Sequence, residues 1–146
     1  MGTVRVRFNL EIEEDGFPPI SVELLHARIV DGDTVEIDNT PFFAKSVAVG
    51  DIVACSRTGS EGVLQFERVV TESGNKAISI IFVDDDCKED VYQHLRSCGH
   101  YCEYGEFSGF NMLAVSIAKD ADYPKVKAYL DRKEANNSVS YAELCL

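Results

Sequence analysis

Regular alternation of apolar and polar residues predicts a strand at the start of the chain. Apolar side chains occupy every second position from Val4 to Leu10, and charged or amide side chains fill the positions between them. This period of two is typical of a half-buried strand. Further strands are predicted at 21–29, 34–37, 42–49, 51–56 and 63–70, with a hairpin signal at Asp31-Gly32. Short strands at this spacing favour a strongly curved antiparallel sheet or a small barrel.

The pattern changes after Ser73-Gly74-Asn75. An apolar run, two amphipathic segments and two short apolar segments follow, which predict a strand at 77–83, a helix at 87–98, a strand at 112–117, a helix at 124–134 and a strand at 141–144. The β-α-β-α-β order is typical of a ferredoxin-like unit, to which 103–110 supplies a further strand. We therefore expect an α+β fold. Its N-terminal curved antiparallel sheet or small barrel (1–76) packs on a C-terminal ferredoxin-like half (77–146) as one compact unit.

Charge narrows the possible partners. The chain has 146 residues with 25 acidic and 14 basic side chains, which gives a net charge of −11. Such a surface repels nucleic acid and anionic lipid, so we expect no direct nucleic-acid binding and a basic protein as partner. The alternating N-terminus lacks the continuous apolar stretch of a signal peptide, and the chain has no apolar run of about eighteen residues. Together with five cysteines, these features predict a cytoplasmic protein with free thiols and no membrane contact.

Three carboxylates stand where a strand gives way to a helix, at Asp84, Asp85 and Asp86. They suit Mg²⁺ coordination through one or two oxygens. They also suit a helix N-terminus, where Asp86 caps the helix, Glu89 closes a capping box, and the charges complement the helix dipole. The capping interpretation accounts for every residue of the cluster, so we predict no metal here.

Cysteines and histidines are concentrated between 87 and 102, at Cys87, His94, Cys98, His100 and Cys102. These ligand types suit zinc, but the Cys98-x-x-x-Cys102 spacing differs from the usual knuckle. The helical spacing of Cys87, Val91, Leu95 and Cys98 instead predicts one buried stripe, followed by a C-terminal cap at Gly99.

Motifs of known enzyme classes are missing from the sequence. It contains no Gly-x-Ser-x-Gly, no phosphate-binding glycine loop, no His-Glu-x-x-His and no dinucleotide fingerprint. We therefore predict a protein without catalytic residues, metal or cofactor. The stretch 103–110 combines acidic, aromatic and glycine residues, a composition that suits a recognition loop as well as a plain connection.

Short motifs along the chain resemble those of a bacterial protein family of unknown function. They are Arg5-x-Arg7-Phe8, Pro18-Pro19-x-Ser21-x-Glu23, Asp38-Asn39-x-Pro41-Phe42-Phe43-Ala44, Gly50-Asp51-x-Val53, Phe66-Glu67, Ser73-Gly74 and Leu113-Ala114-Val115. The resemblance spans nearly the whole chain. It implies kinship and carries no established active site.

These observations favour an acidic binding protein, most specifically an immunity protein that neutralises a basic antibacterial toxin such as a nuclease. The partner-binding residues are predicted at two places, the helix entry and the aromatic stretch: Asp84, Asp85, Asp86, Glu89, Asp90, Glu103, Tyr104, Glu106 and Phe107. A small-molecule-sensing or regulatory module is the alternative, because ferredoxin-like units often bind ligands on a sheet face. A hydrolase or thiol enzyme with an unrecognised site is the third.

Overall fold

Two sheets form the protein in the computed structural model, which describes residues 2–146. The first is a closed barrel of five strands, and the second is a four-stranded sheet covered by two helices. The predicted α+β class, with a small barrel before a ferredoxin-like half, is confirmed. The division into folding units at residue 76 stays a prediction.

The barrel is closed by its first and last strands. Its strands are β1 (Thr3–Asn9), β2 (Val22–Asp31), β3 (Thr34–Ile37), β4 (Ile52–Arg57) and β5 (Val63–Thr71). Successive strands pair antiparallel, and the predicted hairpin joins β2 to β3. Only β1 and β5 pair in parallel, with Val6 opposite Leu64. The inward residues alternate along each strand, as Val6 and Phe8 do on β1, and fill the barrel core.

The second sheet has the ferredoxin-like topology. Its elements are β6 (Lys76–Phe82), α1 (Lys88–Ser97), β7 (Tyr101–Phe107), β8 (Phe110–Ile117), α2 (Tyr123–Ala135) and β9 (Val139–Cys145). The strand order is β7-β8-β6-β9, and all neighbours are antiparallel. The predicted extra strand is confirmed, because a turn at Ser108-Gly109 divides 101–117 into the hairpin β7-β8. Both turn residues have positive φ, 50° and 85°, as a two-residue hairpin turn requires.

The two faces of this sheet pack against different partners. Apolar residues on one face, such as Ile80 and Leu113, form a core with Val91 and Leu95 of α1 and Leu130 of α2. The other face is turned toward the barrel. Neither helix of the described chain is long and apolar enough to cross a membrane.

The segment 38–51, between β3 and β4, is irregular, so the strand predicted at 42–49 is wrong. It is nevertheless mostly buried. The reason is a side chain that replaces a neighbouring strand as hydrogen-bond partner. Glu23 Oε2 accepts the N–H of Phe42 at 2.7 Å, and Glu23 Oε1 accepts those of Phe43 at 3.1 Å and Ala44 at 2.8 Å.

Glu23 is itself buried, with only 6% of its surface exposed. It lies on the inward-facing phase of β2 with Leu25 and Ala27. Burial raises the pKa of its carboxyl, while the three N–H groups favour the ionised form and oppose that shift. A buried carboxylate is tolerated only where hydrogen bonds replace water, which the segment 38–51 supplies.

A second buried carboxylate fixes the end of the same segment. Asp51 Oδ2 accepts the N–H of Ala48 at 3.0 Å, and Asp51 Oδ1 accepts that of Ser73 at 2.8 Å. Asn75 Nδ2 donates to Val49 O at 2.9 Å, and Asn75 Oδ1 accepts the N–H of Lys119 beyond β8 at 3.0 Å. The connection from the barrel to the second sheet is thereby tied to both.

We predict that Glu23→Ala lowers the free energy of unfolding by about 3 kcal/mol, because three buried N–H groups lose their acceptor. Glu36→Ala is the matched control. It removes an ion pair with Arg28 at 2.8 Å on the barrel surface, and should cost less than about 1 kcal/mol. Urea denaturation measures both. Equal losses in the two variants would contradict the role given to Glu23.

Candidate binding surface

The predicted acidic residues at the helix entry lie together on the surface. β6 ends at Phe82, and the chain passes through a 3-10 turn, Asp85–Cys87, into α1. All five carboxylates around this turn are exposed: Asp84, Asp85, Asp86, Glu89 and Asp90. Their position at the N-terminal end of the helix is favourable because the helix dipole is positive there.

The cap is Asp84, so the prediction that Asp86 caps the helix is wrong. Asp84 Oδ1 accepts the N–H of Asp86 at 3.0 Å, whereas Cys87, which directly precedes α1, makes no capping bond with its side chain. The physical reason is the 3-10 turn. It starts the helical backbone at Asp85, before the first α-helical residue, and the free N–H groups therefore occur earlier in the chain.

Tyr104 of β7 connects the edge of the sheet to the start of α1. Its hydroxyl donates to Lys88 O at 3.2 Å and lies 3.5 Å from Glu89 Oε2. Its ring stacks on that of Tyr92, with centroids 4.8 Å apart and an interplanar angle of 19°. Burial, assisted by the charge of Glu89, raises the pKa of Tyr104 to about 12.

Asn111 joins the next strand to the same surface. Its Nδ2 donates to Asp85 Oδ1 at 3.0 Å, and it pairs with Glu106 across the β7-β8 hairpin. Seven of the predicted residues therefore share one surface, which we call the acidic face: Asp84, Asp85, Asp86, Glu89, Asp90, Tyr104 and Glu106.

Glu103 and Phe107 lie on the other side of β7, because successive side chains of a strand alternate between faces. Phe107 packs against Phe42 and Phe43, with ring centroids at 5.0 and 4.9 Å. Glu103 is half-buried. The pKa of Tyr101 is raised mainly by the burial of Tyr101 and further by the charge of Glu103. The structure therefore separates these two residues from the rest of the predicted set.

The charges of the acidic face are not compensated by ion pairs. Within residues 2–146, none of its carboxylates lies within 4 Å of a Lys or Arg nitrogen, and the ion pairs present involve other acids. Lys88 is the one basic residue between positions 84 and 90. The face therefore presents a local negative potential.

Sequence reasoning missed Tyr92 and Asn111. The signal for Asn111 was the two-residue turn at 108–109, because it fixes the register and places residue 111 opposite Glu106. For Tyr92 the signal was its helical spacing from Glu89, three residues earlier. The contact between Tyr92 and Tyr104 depends on the tertiary placement of α1 over β7.

Comparison with other proteins places the chain in a family. Residues 23–141 match the family described as a domain of unknown function (DUF4265). The chain belongs to this family. Its fold is also similar to that of a hypothetical protein from Neisseria gonorrhoeae, whose crystal structure superposes with a TM-score of 0.77. The two are 27% identical over 99% of this chain and 94% of that chain. No curated protein matches the sequence.

The resemblance to a family of unknown function is thus confirmed. The DUF4265 match includes Glu23, the segment 38–51 and the whole acidic face. Motifs that carried the resemblance, such as Gly50-Asp51 and Ser73-Gly74, lie where hydrogen bonds tie the two sheets together. These two motifs therefore have structural roles.

The cysteines of this DUF4265 chain do not form the single buried stripe that was predicted. Cys102 is buried and Cys87 half-buried, but Cys98 is exposed. The helix ends at Ser97, so Cys98 no longer follows the helical phase that buries Val91 and Leu95. The predicted cap at Gly99 is confirmed. Gly99 has φ of 91°, its N–H donates to Arg96 O, and that of His100 donates to Leu95 O.

No group of three or more His, Cys, Asp or Glu side chains in the described part of the chain is arranged to hold a metal ion. Cys98 Sγ lies 3.9 Å from His94 Nε2, but the His94 ring stacks on Tyr129 at a centroid distance of 3.8 Å. Cys102 is directed into the core and contacts His100 O. The Cys and His side chains are therefore spread over separate contacts.

Replacement of the capping residue provides a paired test. We predict that Asp84→Ala destabilises the protein by about 1 kcal/mol through loss of the cap. Asp86→Ala, with the same change in charge two residues away, should stay within about 0.5 kcal/mol because its side chain makes no hydrogen bond. Thermal denaturation of both variants distinguishes them. A larger loss in Asp86→Ala would show that Asp86 caps the helix.

Thiol reactivity should follow exposure. Cys98 is exposed, whereas Cys55 and Cys102 are buried, and burial raises the pKa of each of these two to about 11. Because the thiolate is the reactive form, we predict that iodoacetamide at about pH 8 alkylates Cys98 first. Peptide mass spectrometry over time measures the order, and Cys98→Ser should remove the fast phase. Equally fast labelling of Cys102 would contradict the packing described.

Proposed function

We propose that this protein is a non-catalytic binding protein whose acidic face docks on a basic protein. In its most specific form, the partner is an antibacterial toxin with a positively charged active domain, such as a nuclease, and this chain is the immunity protein against it. The observation that carries the proposal is the acidic face itself, a cluster of exposed carboxylates that form no ion pair within residues 2–146.

Electrostatics favours such a partner. The net charge of −11 acts over a Debye length of about 10 Å at 0.1 M salt, and a concentrated cluster steers a basic surface toward itself. A domain that cleaves RNA or DNA must be positive where it binds phosphates. An acidic inhibitor complements that surface, whereas nucleic acid is repelled from the same face.

Aromatic residues supply the second requirement of an interface. Tyr104 is 43% exposed on the edge strand, and its ring is held by the stack with Tyr92. Arg96 lies over the other tyrosine, with its guanidinium carbon 5.8 Å from the Tyr92 ring centroid. Tyrosines fixed in this way lose little conformational freedom on binding and are frequent at the centres of interfaces. Tyr104 takes the anchoring role, since Phe107 packs internally.

The sharpest test compares two variants of equal net charge. The double variant Asp86→Lys, Asp90→Lys reverses the charge of two exposed residues of the acidic face. Neither residue makes a side-chain hydrogen bond or ion pair in the described chain. Glu14→Lys with Glu61→Lys reverses two exposed residues elsewhere. The assay is association with the protein encoded beside this gene, by co-purification and biolayer interferometry, and protection of cells that express that protein.

We predict that the acidic-face variant associates about tenfold more slowly and loses protection, while the control variant retains both. The association rate of the parent should fall steeply with rising salt, and its affinity should fall less. If both variants had equal effects, the net charge of the protein alone would explain the association. The acidic face would then not be part of the interface. Absence of any complex with the neighbouring product would overturn the immunity function.

A further inference from the structure

A cavity of about 820 Å³ lies between the barrel and the second sheet. It is on the face of the sheet opposite the helices, and therefore apart from the acidic face. Its lining includes Phe8 and Phe66 of the barrel, Phe42 and Phe43 of the segment 38–51, and Ser79, Met112 and Ala142 of the second sheet. Ala142, which is exposed on the edge strand β9, is part of the lining.

Side-chain size explains why this space is not filled. On β6 and β9, the residues that face the barrel include Ser79, Ser140 and Ala142, which are all small. The aromatic wall opposite is held in place. Phe8 stacks on Phe66 with centroids 4.6 Å apart, and the Glu23 hydrogen bonds fix the backbone at Phe42. The aromatic side chains are held at these positions and do not move into the space that the small side chains leave.

Ser79 adds an unsatisfied polar group. Its side chain lines the cavity and is 4% exposed, and its Oγ is the one buried side-chain polar atom within residues 2–146 that has no hydrogen-bond partner. A buried hydroxyl without a partner costs about 1–3 kcal/mol. Native proteins rarely keep such a group unless a partner supplies the missing bond.

We propose that this cavity binds a small uncharged molecule with a flat aromatic body and one hydrogen-bonding group, which bonds Ser79 Oγ after a rotation of the Ser79 side chain. The volume is within the range of small-molecule sites, about 300–1,000 Å³, and the phenylalanine rings suit an aromatic ligand. Among the ionisable residues at the rim, Glu11 and Glu13 outnumber Lys45, so an anionic ligand is disfavoured. This activity goes beyond the docking of a basic partner and does not depend on it.

The chain offers a selective probe for ligand entry. It has only two methionines, and one of them, Met112, lines the cavity. In protein labelled with [methyl-¹³C]methionine, the Met112 signal is assigned by its loss in Met112→Leu. An aromatic ring that enters the cavity shifts that signal through its ring current. The probe ligand is 2-naphthol, and 2-naphthoate is its anionic counterpart.

Three variants separate the cavity from general surface binding. Ala142→Phe places a large ring in the lining of the cavity. Ser79→Ala removes the hydroxyl, which bonds no protein atom and is therefore dispensable for folding. Ala118→Phe is the control, since Ala118 is another exposed alanine of the second half and lies outside the cavity lining. Far-ultraviolet circular dichroism verifies that each variant is folded.

We expect 2-naphthol to shift the Met112 signal saturably in the parent and in Ala118→Phe. Ala142→Phe should abolish the shift, and Ser79→Ala should weaken binding about fivefold, the equivalent of one hydrogen bond. 2-Naphthoate should bind more weakly than 2-naphthol. Absence of a saturable shift in the parent would overturn the proposal, and so would an unchanged shift in both Ala142→Phe and Ser79→Ala. Tighter binding of 2-naphthoate would overturn the preference for an uncharged ligand.

Discussion

The carboxylate of Glu23 anchors the buried segment 38–51, which packs against both the barrel and the second sheet. It replaces a strand as the acceptor for three consecutive N–H groups, and so allows an irregular segment to be buried without losing its backbone hydrogen bonds. That segment has two apolar sides. Ala44 and Val47 belong to the barrel core, whereas Phe42 and Phe43 pack with Met112 and Ala114 of the second sheet.

The position of Phe42 in turn constrains the edge of the second sheet. A Cβ at Gly105 would lie 2.7 Å from Phe42 Cζ, so only glycine allows the ring and β7 to approach this closely. Once Gly105 faces the phenylalanine rings, alternation along β7 directs Tyr104 and Glu106 toward α1 and Phe107 toward the barrel. The acidic face and the cavity are consequently on opposite sides of one sheet, and both depend on the same buried segment.

Local signals in the sequence were sufficient for most of the fold. Period-two alternation found β1, the Asp-Gly pair found the β2-β3 hairpin, and Gly99 marked the end of α1. The strand expected at 42–49 failed because its aromatic pattern is that of a buried segment, and the acceptor for its N–H groups comes from a glutamate about twenty residues earlier. The sequence signal for this arrangement was Glu23, which lies on the same buried side of its strand as Leu25 and Ala27. The prediction of the cap was wrong because a single 3-10 turn precedes α1. The capping residue is therefore Asp84 and not Asp86.

The candidate surface was only partly accessible to such reasoning. The clustering of carboxylates before α1 is a matter of sequence neighbours, but their proximity to Tyr104 depends on how α1 crosses the sheet. Strand alternation alone would have separated Glu103 and Phe107 from Tyr104 and Glu106. The cavity left no trace in the sequence, because it arises from small residues on two strands and large ones on the barrel, which only the tertiary structure brings opposite each other.

The location of β7 at the border of its sheet has a consequence for self-association. An edge strand has free N–H and C=O groups along one side. These groups can pair with the same strand of another molecule and begin aggregation. Here Glu103 and Glu106 project from the two faces of that strand, and Glu106 lies on the same side as the carboxylates around α1. If two copies associated edge to edge through β7, their like charges would come close together and repel each other. The negative charge of this region therefore disfavours edge-to-edge association of two copies. It does not repel a positively charged molecule from the same edge.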